Sequence, residues 1–378
     1  MNVPVTLLYV ITSTGTGGAE KALLELVRRI DRARYRIVVC SLKRPGAYGA
    51  RLAAAADEFY HLNLSEAAGL RAVLNFIPAL LRMVKILRRV RPDILHCFLF
   101  RASIMGRLAA CLCPGPAVIA AVRVNEQNAF KYFCERLTRS MVSCYTAVTE
   151  EVRQAMIARA HVAPEKIHTI YNGIECPVRD AAVQGRETVE KQTHLALIGR
   201  LHRQKGHGHL LEALKIMISE GRRVHLYLAG DGPDEEMLRR QARDLSIADA
   251  VTFSGVVDDM VAFMADIDIV VLPSLWEGMP NVLLEAMAAL RPIVATRLAG
   301  IEELVRDGES ALLCEPGLAR PLASAIMRLM DDPELACRLA CAARLDVGRR
   351  FAISQTIAQT QALYESSVRN RHTERENR

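Results

Sequence analysis

The sequence has no C-x-x-C pair, and its ten cysteines are scattered. Cys40, Cys97, Cys144 and Cys314 lie inside apolar, strand-like runs. Free, buried thiols in a reducing compartment are therefore expected, because disulfide frameworks and zinc fingers need paired ligands at fixed spacing. No apolar run reaches the roughly 18 residues of a membrane-helix candidate. The start, MNVPVTLLYVIT, lacks a basic n-region and a small-residue cleavage site, so no secretory signal is expected. Low-complexity tracts are absent too. At 51% apolar residues, the chain is too hydrophobic to stay disordered. Only RNRHTERENR (Arg369–Arg378) reads as a solvated, flexible tail. The expected location is the cytoplasm, with room for peripheral attachment to the inner face of a membrane. A net charge of +7 over 378 residues is modest, and it suits an anionic ligand, an anionic membrane or nucleic acid equally.

What is present is a repeated alternation of short apolar runs and helical stretches. Strands are expected at Val5–Ile11, Arg36–Ser41, Glu58–Leu62, Asp93–Cys97, Ala117–Val122 and Cys144–Val148. The rhythm restarts at His194–Ile198 and continues through Val224–Ala229, Val251–Ser254, Ile269–Pro273, Ile293–Ala295 and Ala311–Cys314. Near-continuous apolar strands separated by helices predict α/β domains with parallel sheets covered on both faces. The polar segment Tyr171–Gln192, which carries Gly and Pro but no periodicity, reads as the connection. The expected plan is two doubly wound, Rossmann-like domains, 1–175 and 193–349, facing each other across a cleft. Ligands of such sheets sit at the carboxyl ends of strands.

Three loops at such ends carry candidate chemistry. TSTGTGGAEKALLEL follows the first strand, and its Gly17 and Gly18 let backbone approach a ligand at a helix start. It is not the dinucleotide fingerprint: Glu20 stands where the third glycine belongs, and the second strand ends in Lys43 and Arg44 rather than an acid. IGRLHRQKGHG puts Arg200 and Lys205 after the first strand of the second domain, two cations suited to a diphosphate. The nearby His202, His207 and His209 lack acidic or cysteine companions, so no metal site is expected. Asp266 and Asp268 form a D-x-D, but they lead into the start of a strand, away from its functional end, so a metal role is not expected there either.

The third loop is LPSLWEGMPNVLLEAM. Pro280 is expected at the first helical position. The backbone of Gly278, Met279, Pro280, Asn281 and Val282 would then lie against a phosphate. Glu285, about a turn and a half into the helix, has two acceptor oxygens that match a vicinal diol. Its neighbours Leu284, Ala286 and Met287 are apolar, so burying it without a partner would be costly.

This segment resembles the E-x7-E element of retaining glycosyltransferases of the GT-B fold, family 4 (group 1). GTGGAE, YNGIE, IGRLHRQKG, LAGDGP and GIEELVRDGESALLCEPG follow in the same order, strongest over Tyr171–Gly317. The resemblance implies transfer of a sugar from a nucleotide-diphosphate donor, UDP-sugar being the commonest, with retention at the anomeric carbon. It implies no required cofactor or metal and no nucleic-acid partner. Arg200 and Lys205 match the diphosphate cations, Glu285 the ribose acid and Glu277 the acid nearer the donor sugar. Gly17 and Gly18 match a loop over donor and acceptor, and the LAGDGP turn with Gly230 a donor contact. His96 in DILHC sits where many members place a histidine near the reacting sugar, although the residues after it depart from the pattern. The family pattern also sends the C-terminal helix, residues 351–368 here, back to the first domain.

The implied acceptor is a glycan or a lipid-linked saccharide. The helix LLRMVKILRRV packs Leu80, Met83, Val84 and Leu87 on one face and Arg82, Lys85 and Arg89 on the other. It reads as an ordinary core-packing helix or as a basic patch for anionic lipid. A sugar-nucleotide epimerase, a phosphorylase and a nucleotide-sugar-binding protein without turnover remain as alternatives.

Overall fold

The computed structural model describes residues 4–65, 70–125, 128–176 and 192–376. Most of the segment read as the connection, residues 177–191, lies outside them. The chain forms two compact units, Met1–Asn172 with Ser354–Arg378, and Gly173–Ile353.

In the first unit, strands β1 (Val5–Ile11), β2 (Tyr35–Ser41), β3 (Glu58–His61), β4 (Ile94–Phe98), β5 (Ala117–Val122), β6 (Cys144–Ala147) and β7 (Ile167–Thr169) form one sheet in the order β3-β2-β1-β4-β5-β6-β7. Every pairing is parallel. Helices on both faces explain why the central strands are apolar throughout: Leu7 to Ile11 and Ile37 to Cys40 are fully buried. The helix Leu70–Val90 contributes Met83, Val84 and Leu87 to this core. Its apolar stripe is thus used for packing, as the core-packing reading requires, and Arg82, Lys85, Arg88 and Arg89 are left exposed. Cys40 and Cys97 are buried here, and all ten cysteines of the chain are free.

The last helix, Ile353–Glu376, belongs to the first unit from Ser354 onward. Thr356 Oγ1 donates to Tyr171 O at 2.9 Å, and Arg34 pairs with Glu365 at 2.5 Å. Tyr364 is wholly buried. The helix runs through residue 376, so the backbone of the expected loose tail is helical to that point. Extending an anchored helix costs far less than nucleating one.

In the second unit, β8 (Thr193–Ile198), β9 (Val224–Ala229), β10 (Val251–Gly255), β11 (Ile269–Leu272), β12 (Ile293–Thr296) and β13 (Leu312–Cys314) are ordered β10-β9-β8-β11-β12-β13, again all parallel. Leu195, Leu197, Leu226, Leu228 and Val271 meet Leu210, Leu214 and Ile326 from covering helices in one core. At the amino end of this sheet Asp268 accepts from His194 N at 2.8 Å and tethers β8 to β11. That is a structural job for the D-x-D acid.

Candidate active site

The strand order of the second unit reverses between β8 and β11. Loops leaving the carboxyl ends of these two neighbours diverge and leave a crevice, the usual ligand position in such sheets. Residues 199–206 leave β8 and residues 273–280 leave β11. The structure locks the two loops together. Leu275 N donates to Gln204 O at 2.8 Å, and Gln204 Nε2 donates to Trp276 O at 2.8 Å. At Gly206 (φ +69°) a Cβ would lie 1.9 Å from Pro273 O, so only glycine allows the approach. The turn after β9 closes on the same place. Gly230 has φ +143°, and a Cβ there would lie 2.1 Å from Gly199 O, while Leu201 N donates to Asp231 O at 2.8 Å.

Lys205 and Glu277 meet directly in this frame. Nζ of Lys205 lies 2.5 Å from Oε1 of Glu277, and Ser274 Oγ donates to the same oxygen at 2.7 Å. Thr296 Oγ1 at the end of β12 donates to Ser274 O at 2.6 Å and holds that serine in place. Glu277 is 8% exposed. The cation and the hydroxyl offset the cost of burying a carboxylate there. Both donors use Oε1, and no donor reaches Oε2 among the described residues. Arg200 is exposed and makes no ion pair among the described residues.

The helix Asn281–Ala288 starts from Pro280, which is the N-cap with φ −74° and ψ 109°. Proline therefore stands one position before the first helical residue rather than on it. Gly278, Met279 and Pro280 are buried, Val282 is 9% exposed, and Asn281 and Glu285 are half-buried. Val282, Leu283, Leu284, Ala286 and Met287 fill the core side, so Glu285 emerges on the remaining flank. Of the three histidines, His202 accepts from Gln204 N at 3.2 Å. His207 is buried at the start of the helix His207–Ser219, and its pKa is pushed down to about 4 by burial and by the Lys205 charge. His209 faces Glu212 at 3.9 Å.

Sequence reasoning did not single out Ser274, Gln204 or Thr296. Small polar residues at strand ends beside an acid were the available signal.

Two first-unit expectations fare differently. Gly17 is the N-cap and Gly18 the first residue of the helix Gly18–Arg29, at the carboxyl end of β1. Nearby, Ser13 Oγ donates to the buried Glu20 at 2.6 Å, and Thr14 Oγ1 accepts from Gly46 N at 2.8 Å. The second is His96. It sits in the middle of β4, 3% exposed, with Nδ1 2.7 Å from Tyr364 Oη, which in turn donates to Tyr9 Oη at 3.1 Å. Phe98 packs 4.6 Å from its ring. Burial, with a contribution from Arg123, pushes its pKa down to about 3, so the imidazole is neutral. The ring meets the C-terminal helix through Nδ1, and its buried Nε2 has no hydrogen-bond partner among the described residues.

Sequence profiles divide the chain in the same place. The profile described as glycosyltransferase family 4 matches residues 16–176, and the one described as glycosyl transferases group 1 matches residues 192–332. The chain is built from two glycosyltransferase domains. Alpha-D-kanosaminyltransferase of Streptomyces kanamyceticus is 27% identical over 241 residues, 61% of this chain and 62% of that protein. The lipopolysaccharide core biosynthesis glycosyltransferase LpsE of Rhizobium meliloti (strain 1021) is 37% identical over 143 residues, 38% of this chain and 41% of LpsE. Each alignment thus spans less than two thirds of the relative. Among solved structures, Anabaena Alr3699/HepE in complex with UDP-glucose superposes with a TM-score of 0.82 at 22% identity, over 96% of this chain and 99% of that one. At that identity the likeness establishes the fold, the two Rossmann-like domains of the GT-B class. The locked loops and the Lys205–Glu277 pair lie inside the group 1 domain.

Proposed function

We propose that this protein is a retaining, family 4 glycosyltransferase that moves a hexosyl group from a nucleotide-diphosphate sugar to a glycan or lipid-linked acceptor. The observation that carries this reading is the Lys205–Glu277 pair at the β8/β11 crevice, with Arg200 exposed on the same loop as Lys205. Arg200 and Lys205 meet the diphosphate. As the bond to the sugar breaks, negative charge grows on the departing phosphate oxygen. Fixed cations and the amides at the start of Asn281–Ala288 stabilise that charge as it forms. Glu277 uses its open Oε2 to orient a hydroxyl of the donor sugar, and Glu285 takes the ribose diol. The backbone of Gly230 and of residues 278–282 shapes the rest of the donor pocket, and Gly17 and Gly18 shape the first domain's loop. The acceptor hydroxyl attacks the anomeric carbon from the face that the diphosphate leaves. Its proton passes to the departing oxygen, so no protein nucleophile is used. Positioning supplies the remainder of the rate.

With two cations on the diphosphate, the reaction as proposed needs no metal or other cofactor. UDP-sugar is the proposed donor, supported by the UDP-glucose complex of the Anabaena neighbour. A saccharide of the cell surface is the proposed acceptor, supported by the role of LpsE in lipopolysaccharide core biosynthesis. Among the described residues no helix is long and apolar enough to cross a membrane. We place the enzyme in the cytoplasm, on the inner membrane face, with the basic side of Leu70–Val90 toward anionic lipid.

A thermal-shift screen of UDP-, GDP- and ADP-sugars in the presence of EDTA tests the donor reading. A ligand that binds only the folded protein raises its stability by about 2.7 kcal/mol at a hundred times its Kd. A rise with one nucleotide class is expected. No rise with any of them would sink the proposal.

A further inference from the structure

One face of the first sheet is covered by three consecutive helices, Leu70–Val90, Phe100–Leu112 and Ala129–Thr138. Val118 and Ala120, two apart in β5, point to the same face. The first two helices share a core with Val118, and Tyr132 of the third shares one with Ala120. The first helix lies against the second, and the second against the third. The last contact is clamped. Arg107, fully buried, lies 2.7 Å from Glu135 and donates to Thr138 Oγ1 at 2.6 Å, and Lys131 stands 5.8 Å from the centre of the Phe100 ring. The three helices therefore form one layer.

The outer surface of this layer is rich in apolar side chains. A surface helix normally turns its apolar stripe to the core. Ala129–Thr138 buries Tyr132 and Glu135 and points Phe130, Phe133 and Leu137, spaced i, i+3 and i+7, away from the sheet. Each of the three is more than half exposed, as are Ile77, Leu81 and Leu112 on the other two helices. These six are most of the eleven large apolar side chains that stand exposed among the described residues. So dense a patch marks an interaction surface. The charge around it identifies the partner. The three helices contain nine Arg or Lys and a single acid, Glu135, which Arg107 holds. Lys85, Arg88, Arg89, Arg101 and Arg136 are exposed. Of the acids that flank the helices in sequence, Asp93 accepts from Thr6 N at 2.8 Å, and Glu126 lies outside the described residues. Apolar anchors set among cations complement a surface that is apolar within and anionic outside, which is an anionic bilayer.

We infer that this layer is a membrane-docking face whose Phe130, Phe133 and Leu137 enter the boundary between headgroups and acyl chains of an anionic bilayer. The cations of Leu70–Val90 and Arg136 meet the lipid phosphates. Electrostatic attraction alone is screened by salt. Side chains that enter the acyl boundary add a hold that salt does not weaken. The inference rests on the membrane location proposed above and names the element that enters the lipid; it uses nothing of the donor chemistry.

Co-sedimentation of the full chain with vesicles tests the inference. The wild type should bind vesicles of phosphatidylcholine and phosphatidylglycerol in equal amounts. F130Q/F133Q/L137Q should weaken that binding about tenfold or more. K85Q/R88Q/R89Q should weaken it by a similar factor and flatten its dependence on phosphatidylglycerol. Both triple variants change exposed side chains, so folding should survive, which circular dichroism reads. F133W gives a second readout. Its emission should shift to the blue on vesicles and be quenched by lipids brominated in their acyl chains, with the wild type, whose one tryptophan is Trp276, as the blank. Binding that F130Q/F133Q/L137Q leaves intact, with F133W unquenched, overturns the inference and keeps the basic helix as the lipid contact. No binding by the wild type overturns both the inference and the proposed membrane location. A wild-type dimer in ultracentrifugation that F130Q/F133Q/L137Q abolishes, without vesicle binding, overturns it in favour of a second copy of this chain. The nucleotide-sugar thermal shift reads the glycosyltransferase proposal separately and should be the same in both triple variants as in the wild type.

Discussion

The two units repeat one sheet order, yet their carboxyl edges are built differently. At the β8/β11 edge, three loops are locked by backbone bonds and glycine contacts, and the charged groups they carry are exposed or paired only with each other. At the β1/β4 edge the chain buries its polar groups: Thr14 and Glu20 are below 8% exposure, and His96 is shut in by Tyr364. The same topology therefore yields a preformed, open electrostatic site in one unit. In the other it yields a cluster of buried polar groups, several of them hydrogen-bonded to their neighbours. A doubly wound sheet fixes where a ligand can sit, and the loop residues decide whether the place stays open.

The largest effect should come from the open edge. Replacing Arg200 and Lys205 together with alanine removes both proposed diphosphate cations and leaves Glu277 with Ser274 as its only donor. Turnover with the donor identified by the thermal-shift screen should fall by about 10²–10³-fold or more, the usual scale for losing charge stabilisation in a transition state. Measured product formation close to the wild-type rate would mean that this edge is not where the bond breaks.

The next effect separates architecture from charge. Gly206→Ala sets a methyl 1.9 Å from Pro273 O and forces alanine to φ +69°. The clash and the left-handed backbone together should cost about 2–4 kcal/mol. Chemical denaturation reads the stability. Donor affinity should fall as well, because Lys205 and the β11 loop are pushed apart. A variant as stable as wild type would show that the two loops are not locked as described.

This contrast also explains what could be read from the sequence. Val5–Ile11, Ala117–Val122 and Val224–Ala229 were legible to the residue, because strands buried on both faces are written as unbroken apolar runs. β7 was not named. Its three residues, Ile167–Thr169, carry too little pattern and gain their place by pairing with β6. Lys205 and Glu277 were legible as types at the ends of strands, but their direct contact depends on how residues 199–206 fold back onto 273. The burial of His96 was not legible for a related reason. Its position in a strand was readable, but the helix that covers it comes 268 residues later in the chain. No local signal announces a cover from so far away. Arg123 was invisible for the same reason: its partner Asn172 comes 49 residues later in the chain.

The smallest effect tests the sealed edge. Burial holds His96 neutral with a pKa pushed down to about 3, whereas an unfolded histidine titrates near 6.5. Between those values the unfolded chain binds the proton that the folded chain refuses. The contribution of His96 to stability is therefore complete above about pH 6.5 and is lost as the pH falls toward 3, at up to ~1.4 kcal/mol per pH unit. His207 acts with the same sign in the second unit. His96→Gln removes one of these two titrations and keeps a polar group for Tyr364. Its stability, followed by urea unfolding at pH 7, 6 and 5, should fall less steeply with acid than that of the wild type. Its nucleotide-sugar thermal shift at pH 7 should be unchanged, because the ring is buried and its Nδ1 is taken by Tyr364 of the C-terminal helix. An unaltered acid slope would show that His96 is not sealed, and a lost thermal shift would return it to the reacting sugar.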